Sequence, residues 1–119
     1  MNNTMIDGQL EFSLCHLEEI REDGSKGFVI DSKSGSKALL AVRKKGEVFV
    51  YINSCPHIGV PLDFVPGNFL DLNKEYILCS SHGALFRISD GYCISGPCLG
   101  KNLQPVASKI EGGQIILIL

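Results

Sequence analysis

The chain has 119 residues, of which 45% are hydrophobic and 20% charged, enough for one domain with a core of its own. Its net charge is −2 and its isoelectric point is near 5.9, so nothing in the bulk electrostatics favours nucleic acid or an anionic membrane. Five cysteines, at 15, 55, 79, 93 and 98, are an odd number and widely spread, which excludes a dense framework of internal disulfides.

The N-terminal residues Met1 to Gly8 lack a basic region followed by an apolar one, so no secretory signal is expected. The most apolar stretch, 114–119, is too short to cross a bilayer. A soluble, cytoplasmic, monomeric protein is the expectation. Thirteen glycines and five prolines promise many tight turns.

In chain order, Leu10 to Leu14 alternates as a strand with one buried face, Leu17 to Ile20 suits a single helical turn, and Asp23-Gly24-Ser25 a turn. Strands are predicted over 27–31, 38–43 and 48–52, the last two joined by a hairpin at Lys45-Gly46-Glu47. The run Arg43-Lys44-Lys45 then reads as part of that turn rather than as a binding patch. Further strands are predicted over 75–78 and 84–88, with hairpin signals at Asp90-Gly91 and Glu111-Gly112-Gly113. The apolar strand 114–119 closes the chain and is expected to be central in its sheet. Short strands with no convincing helix predict an all-β fold, a sandwich or small barrel of antiparallel sheets.

Two segments carry chemistry. Cys55-Pro56-His57 follows one predicted strand, and Cys79-Ser80-Ser81-His82-Gly83 follows another. Each puts one thiol and one imidazole in a turn at a strand end, where side chains can converge on a small object. Two thiolates and two imidazoles could hold one zinc tetrahedrally. Zinc fingers, however, commonly draw both Cys from one segment and both His from the other. One of each per segment suits a two-iron cluster with both thiolates on one iron and both imidazoles on the other. Cys15 and His16 are adjacent on a strand, point to opposite faces and cannot converge on one site.

On these residues the chain resembles the Rieske iron–sulfur family. Cys55-Pro-His57-Ile-Gly59-Val-Pro61-Leu62 and Cys79-Ser-Ser-His82-Gly83-Ala-Leu-Phe86 are similar to its two cluster-binding boxes. Gly91 and Ser95-Gly96-Pro97 are similar to its proline-containing third loop, and the likeness runs from about residue 10 to the C-terminus. The resemblance implies the Rieske (ISP-like) fold over 1–119, with a small cluster-binding subdomain over about 54–98. It implies one [2Fe–2S] cluster, with Cys55 and Cys79 on the buried iron and His57 and His82 on the outer iron through Nδ1. The exposed His57/His82 edge would then be the route for electrons.

Three departures from the family refine this. High-potential members carry a disulfide between the boxes, where this chain has Val60 and Ser81, and hydroxyls where it has Ala84 and Phe86. With fewer donors to the sulfurs, the potential is expected at the low end, roughly −150 mV. Residues 58 to 78 put 21 residues between the first His and the second Cys, more than is common in Rieske ferredoxins. The excess is expected within 63–73, near the cluster, shaping the partner-facing surface. Cys93 and Cys98 flank Gly96-Pro97, which could bend the chain enough for a disulfide; the alternative is two reduced thiols half-buried beside the cluster.

An oxygenase would need a second iron held by two His and a carboxylate. Of the three histidines only His16 is left over, so the chain is expected to be an electron carrier and not an enzyme. No glycine-rich dinucleotide fingerprint is present. The resemblance implies an electron taken from a flavin-dependent reductase and passed to a terminal oxygenase, by transient docking around His57/His82 with Ile58, Val60, Leu62 and Leu85 as the apolar rim. The alternative is a small redox or regulatory subunit held permanently in a larger oxidoreductase, like the small subunit of assimilatory nitrite reductases.

Overall fold

The computed structural model describes residues 3–6, 9–32, 35–56, 59–63, 66–80 and 83–118, with the backbone alone at 3–6, 9, 10 and 32. Among them are eleven strands: β1 (Asn3–Ile6), β2 (Gln9–His16), β3 (Gly24–Ser32), β4 (Gly35–Lys44), β5 (Glu47–Ile52), β6 (Tyr76–Leu78), β7 (Leu85–Arg87), β8 (Cys93–Ser95), β9 (Pro105–Val106), β10 (Ser108–Glu111) and β11 (Gln114–Ile118). One 3-10 turn, Leu17–Glu19, is the short helical element expected after β2. No helix among the described residues is long and apolar enough to cross a membrane.

The strands form three antiparallel sheets in the orders β1-β2-β11-β10, β3-β4-β5-β9 and β6-β7-β8. This is the all-β, antiparallel arrangement expected from the strand pattern. The β11 strand is interior to its sheet, as its apolar character requires. Pro105, which has no N–H to give, sits in the two-residue β9 at a sheet edge.

The β3-β4-β5-β9 sheet is the middle layer, and β4 shows why. Its residues Leu39, Leu40, Ala41 and Val42 are all buried, the mark of a strand covered on both faces. Leu39 and Ala41 pack with Phe12, Cys15, Ile20, Ile30, Val50, Ile115 and Leu117. Leu40 and Val42 pack the other way, with Tyr51, Leu62, Phe69, Ile77 and Phe86. The first core joins β4 to β2 and β11; the second joins it to the small β6-β7-β8 sheet.

The hairpin between β4 and β5 turns through Lys45 and Gly46, both at positive φ (+52° and +76°), the paired left-handed conformation of a tight hairpin. The predicted alternation over Leu10 to Leu14 does not hold to its end. Opposite β11, Ile115 pairs with Cys15 and Ile116 with Ser13, so Leu14 is the extra residue of a β-bulge. The bulge turns Cys15 rather than Leu14 fully inward. His16 points out and caps the 3-10 turn, its Nδ1 accepting from the Glu18 N–H at 3.1 Å.

Residues 63–73 are anchored at several points. The Ser25 hydroxyl donates to Gly67 O at 2.8 Å and accepts from the Phe69 N–H at 3.2 Å, and Leu70 bridges to Ile77. The segment is therefore tied to the outer strand β3, and it contributes Phe69, fully buried, to the second core. Phe64 and Val65 lie outside the described residues.

Candidate metal centre

The two cysteine segments leave the ends of β5 and β6 in closely matching loops. In the first, the Cys55 N–H donates to Val60 O at 2.8 Å and the Gly59 N–H to Cys55 O at 2.7 Å. In the second, the Cys79 N–H donates to Ala84 O at 2.9 Å and the Gly83 N–H to Cys79 O at 2.8 Å. Each is a six-residue loop closed twice on its own cysteine, and each turns back through a glycine at positive φ, Gly59 at +76° and Gly83 at +73°. A non-glycine residue resists that conformation because its Cβ crowds the following carbonyl.

The loops are also fastened to each other. The Ser80 N–H donates to Leu62 O at 3.0 Å, linking the far end of the first to the start of the second. Asn53, just after β5, grips the first loop from beneath. Its Oδ1 accepts from the Leu62 N–H at 2.8 Å and its Nδ2 donates to Asp63 Oδ1 at 3.0 Å. Leu62 is thus pinned on both sides of its backbone and fully buried, so it belongs to the core and not to a docking rim as its sequence context suggested. Val60 and Leu85 are partly exposed; Ile58 lies outside the described residues.

The third loop covers this pair. Gly96 follows β8 at φ +94°, and a Cβ there would stand 2.7 Å from Ala84 Cα, so the loop rests directly on the second cysteine loop. Its turn is closed by Leu99 N–H to Gly96 O at 3.1 Å and Lys101 N–H to Cys98 O at 2.8 Å. Beneath it, Gly91 (φ +74°) lies on the Tyr51 ring, and the Tyr51 hydroxyl donates to Ile88 O at 2.6 Å. Burial, with a smaller push from the Asp90 carboxylate, raises the Tyr51 phenol to about 12.

Cys55 and Cys79 are both buried in the one core that these loops enclose, with Ala84, Phe86, Cys93 and Cys98 around them. None of the five cysteines is disulfide-bonded. Cys93 donates to Ser95 O at 3.2 Å, while Cys98 Sγ lies 3.4 Å from Cys55 Sγ, so the two thiols of 93 and 98 face different partners. Both are wholly rather than half buried. His57 and His82 lie outside the described residues. What sequence reasoning missed is Asn53, which fastens the first cysteine loop and whose signal was a lone amide between a strand and a cysteine.

Two buried thiols in matched, cross-fastened loops fit a small inorganic cluster. The loops present the sulfurs from two chain segments, and the apolar surroundings keep water from that side.

The sequence profile of the Rieske [2Fe–2S] domain matches residues 11–110. Comparison with curated proteins returns no match. Among solved structures, the ferredoxin of carbazole 1,9a-dioxygenase from Nocardioides aromaticivorans IC177 superposes with a TM-score of 0.72 at 19% identity, over 90% of this chain and 95% of that one. A chain of the complex of reduced oxygenase and oxidized ferredoxin in carbazole 1,9a-dioxygenase gives 0.70 at 17% identity, over 90% and 91%. The terminal oxygenase of carbazole 1,9a-dioxygenase from Novosphingobium sp. KA1 gives 0.75 at 21% identity over 90% of this chain, which spans only 29% of that longer one. At these identities the likeness establishes the fold. The match of the family profile over most of the chain establishes more: the protein belongs to the Rieske [2Fe–2S] domain family, whose cofactor is a single [2Fe–2S] cluster.

Proposed function

We propose that this chain is a Rieske-type ferredoxin, a one-electron carrier that has no reaction of its own to catalyse. Cys55 and Cys79 bind one iron of the cluster and His57 and His82 the other. When bound, the cluster supplies a site that gains and loses one electron. The observation that carries the reading is the pair of matching loops on Cys55 and Cys79, built on the same glycine turn.

The chain's own residues hold that site rather than react. The hydrogen bonds of Asn53 and Ser80 keep the two loops in register. Ala84 and Phe86, both fully buried, line the inner side without offering a hydroxyl. Their lack of donors supports a potential at the low end, roughly −150 mV.

The chain is one domain over 1–119, monomeric and cytoplasmic, with its cluster-binding part over about 54–98. Its length is close to that of the carbazole dioxygenase ferredoxin, 95% of which it covers. On that likeness it takes its electron from a flavin-dependent reductase and passes it to a terminal oxygenase, docking transiently at the His57/His82 edge. Leu99, 65% exposed in the third loop, joins Val60 and Leu85 as the apolar rim. Of the large apolar residues exposed among the described ones, Ile94 and Leu99 lie on β8 and the loop after it, while Val29, Leu72 and Ile110 stand on other elements, a scatter that suits brief encounters better than a permanent subunit interface.

Anaerobically purified protein is expected to hold two irons and two acid-labile sulfides per chain. After dithionite reduction, its EPR spectrum is expected to show the low average g value of mixed His/Cys ligation. One zinc and no sulfide would refute the assignment. His57→Ala and Cys79→Ala should each abolish the cluster, and Cys15→Ala should not.

A further inference from the structure

Cys98 is a thiol that the ligand set above does not use. It is wholly buried, with Sγ 3.4 Å from Sγ of Cys55. Its neighbour Cys93, on β8, donates instead to Ser95 O at 3.2 Å.

The placement of Cys98 is enforced from both ends. On one side Gly96 lies so close to the Ala84 backbone that no side chain fits. On the other, the Lys101 N–H bonds back to Cys98 O, and Lys101 O accepts from the Cys93 N–H at 2.8 Å. The loop that closes over the second cysteine segment therefore delivers its thiol to the cysteine of the first.

If Cys55 is an iron-bound thiolate, as proposed above, its sulfur carries no proton. Of the two sulfurs only Cys98 can then donate. The geometry points to Cys98 as a positioning residue whose S–H hydrogen-bonds to the Cys55 sulfur, draws electron density from it and makes the cluster easier to reduce. An S–H is a weak donor in water, but this one acts in a dry, apolar core where a hydrogen bond counts for more. Hydrogen bonds to cluster sulfurs are among the levers that set such potentials.

The test is the reduction potential of the holoprotein by film voltammetry, with iron and sulfide counted in every sample. Cys98→Ala is expected to keep a full cluster and titrate below wild type, whereas Cys98→Ser, which retains a donor, does not fall with it. No shift in Cys98→Ala, or equal shifts in both variants, would show a packing role and overturn the assignment. Where the alanine void prevents assembly, Cys98→Val fills the space without a donor and must show the same lowered potential. Resonance Raman supplies a second readout. The deuterium shift of the Fe–Sγ stretch should be smaller in Cys98→Val than in wild type, and identical shifts would again overturn the assignment. A wild-type protein without iron and sulfide would instead refute the ligand set, so the two failures are distinguishable.

Discussion

Gly59 and Gly83 occupy the same place in two different loops. Each stands four residues beyond a buried cysteine, each donates its N–H to that cysteine's carbonyl, and their φ angles agree to within a few degrees, +76° and +73°. The chain makes the same turn twice, once at the end of β5 and once at the end of β6. The spacing from cysteine to histidine differs by one residue between the boxes, yet the spacing from cysteine to glycine does not.

The glycines divide into two kinds by what a side chain would meet. A Cβ on Gly83 meets no atom within 4 Å among the described residues, so Gly83→Ala carries mainly the backbone cost, about 1–2 kcal/mol. Gly96→Ala adds a collision with Ala84 Cα. Thermal unfolding with iron analysis should find Gly83→Ala destabilised but still loaded. Gly96→Ala should lose both stability and cluster.

Asn53→Ala strands the Leu62 N–H and removes the tie to Asp63. The expected cost is about 1–3 kcal/mol, the penalty of an unsatisfied and partly buried donor. Chemical denaturation measures it. The same variant should release iron faster to a chelator, because the first loop is no longer held from beneath.

Tyr51 supplies a pH dependence whose sign can be worked out. Its phenol titrates near 10 in the unfolded chain and at about 12 in the fold, so the native state holds the proton more tightly. Below pH 10 both states are protonated and the stabilisation is complete. As pH climbs from 10 towards 12 it is progressively lost. Denaturation midpoints across that window should fall more steeply in wild type than in Tyr51→Phe. At neutral pH the variant should be weaker by about 1–2 kcal/mol, having left Ile88 O without its donor.

Ala84→Ser and Phe86→Tyr place hydroxyls where the wild-type core has none. Each is expected to raise the reduction potential of the cluster while leaving its iron and sulfide content unchanged, as voltammetry with metal analysis would show. A wild-type midpoint well above zero would defeat the argument from these two positions.

Much of this was readable from residue types. The β4–β5 hairpin, the Asp90-Gly91 turn and the interior β11 follow from local alternation and turn chemistry, and the paired Cys/His boxes stand out as motifs. What escaped depends on contacts between distant segments. The bulge at Leu14 exists only in relation to β11, which lies 101 residues from Ser13 along the chain at Gln114. Leu62 looks like a rim residue until Asn53 and Ser80 are seen to pin it. That residues 63–73 are held on β3 by Ser25 likewise depends on a contact between distant segments. Strands such as β1, β9 and β10, two to four residues long, carry too little pattern to be distinguished from loop.

The burial of β4 on both faces has a thermodynamic consequence. Leu39 and Ala41 cannot leave the outer core without Leu40 and Val42 leaving the inner one, because a strand peels as a unit. The two halves of the protein are thereby bound into one cooperative transition. Stripping the iron should loosen β2 and β11 on the far side of the sheet, and amide exchange there would register the loss of a cofactor those strands never touch.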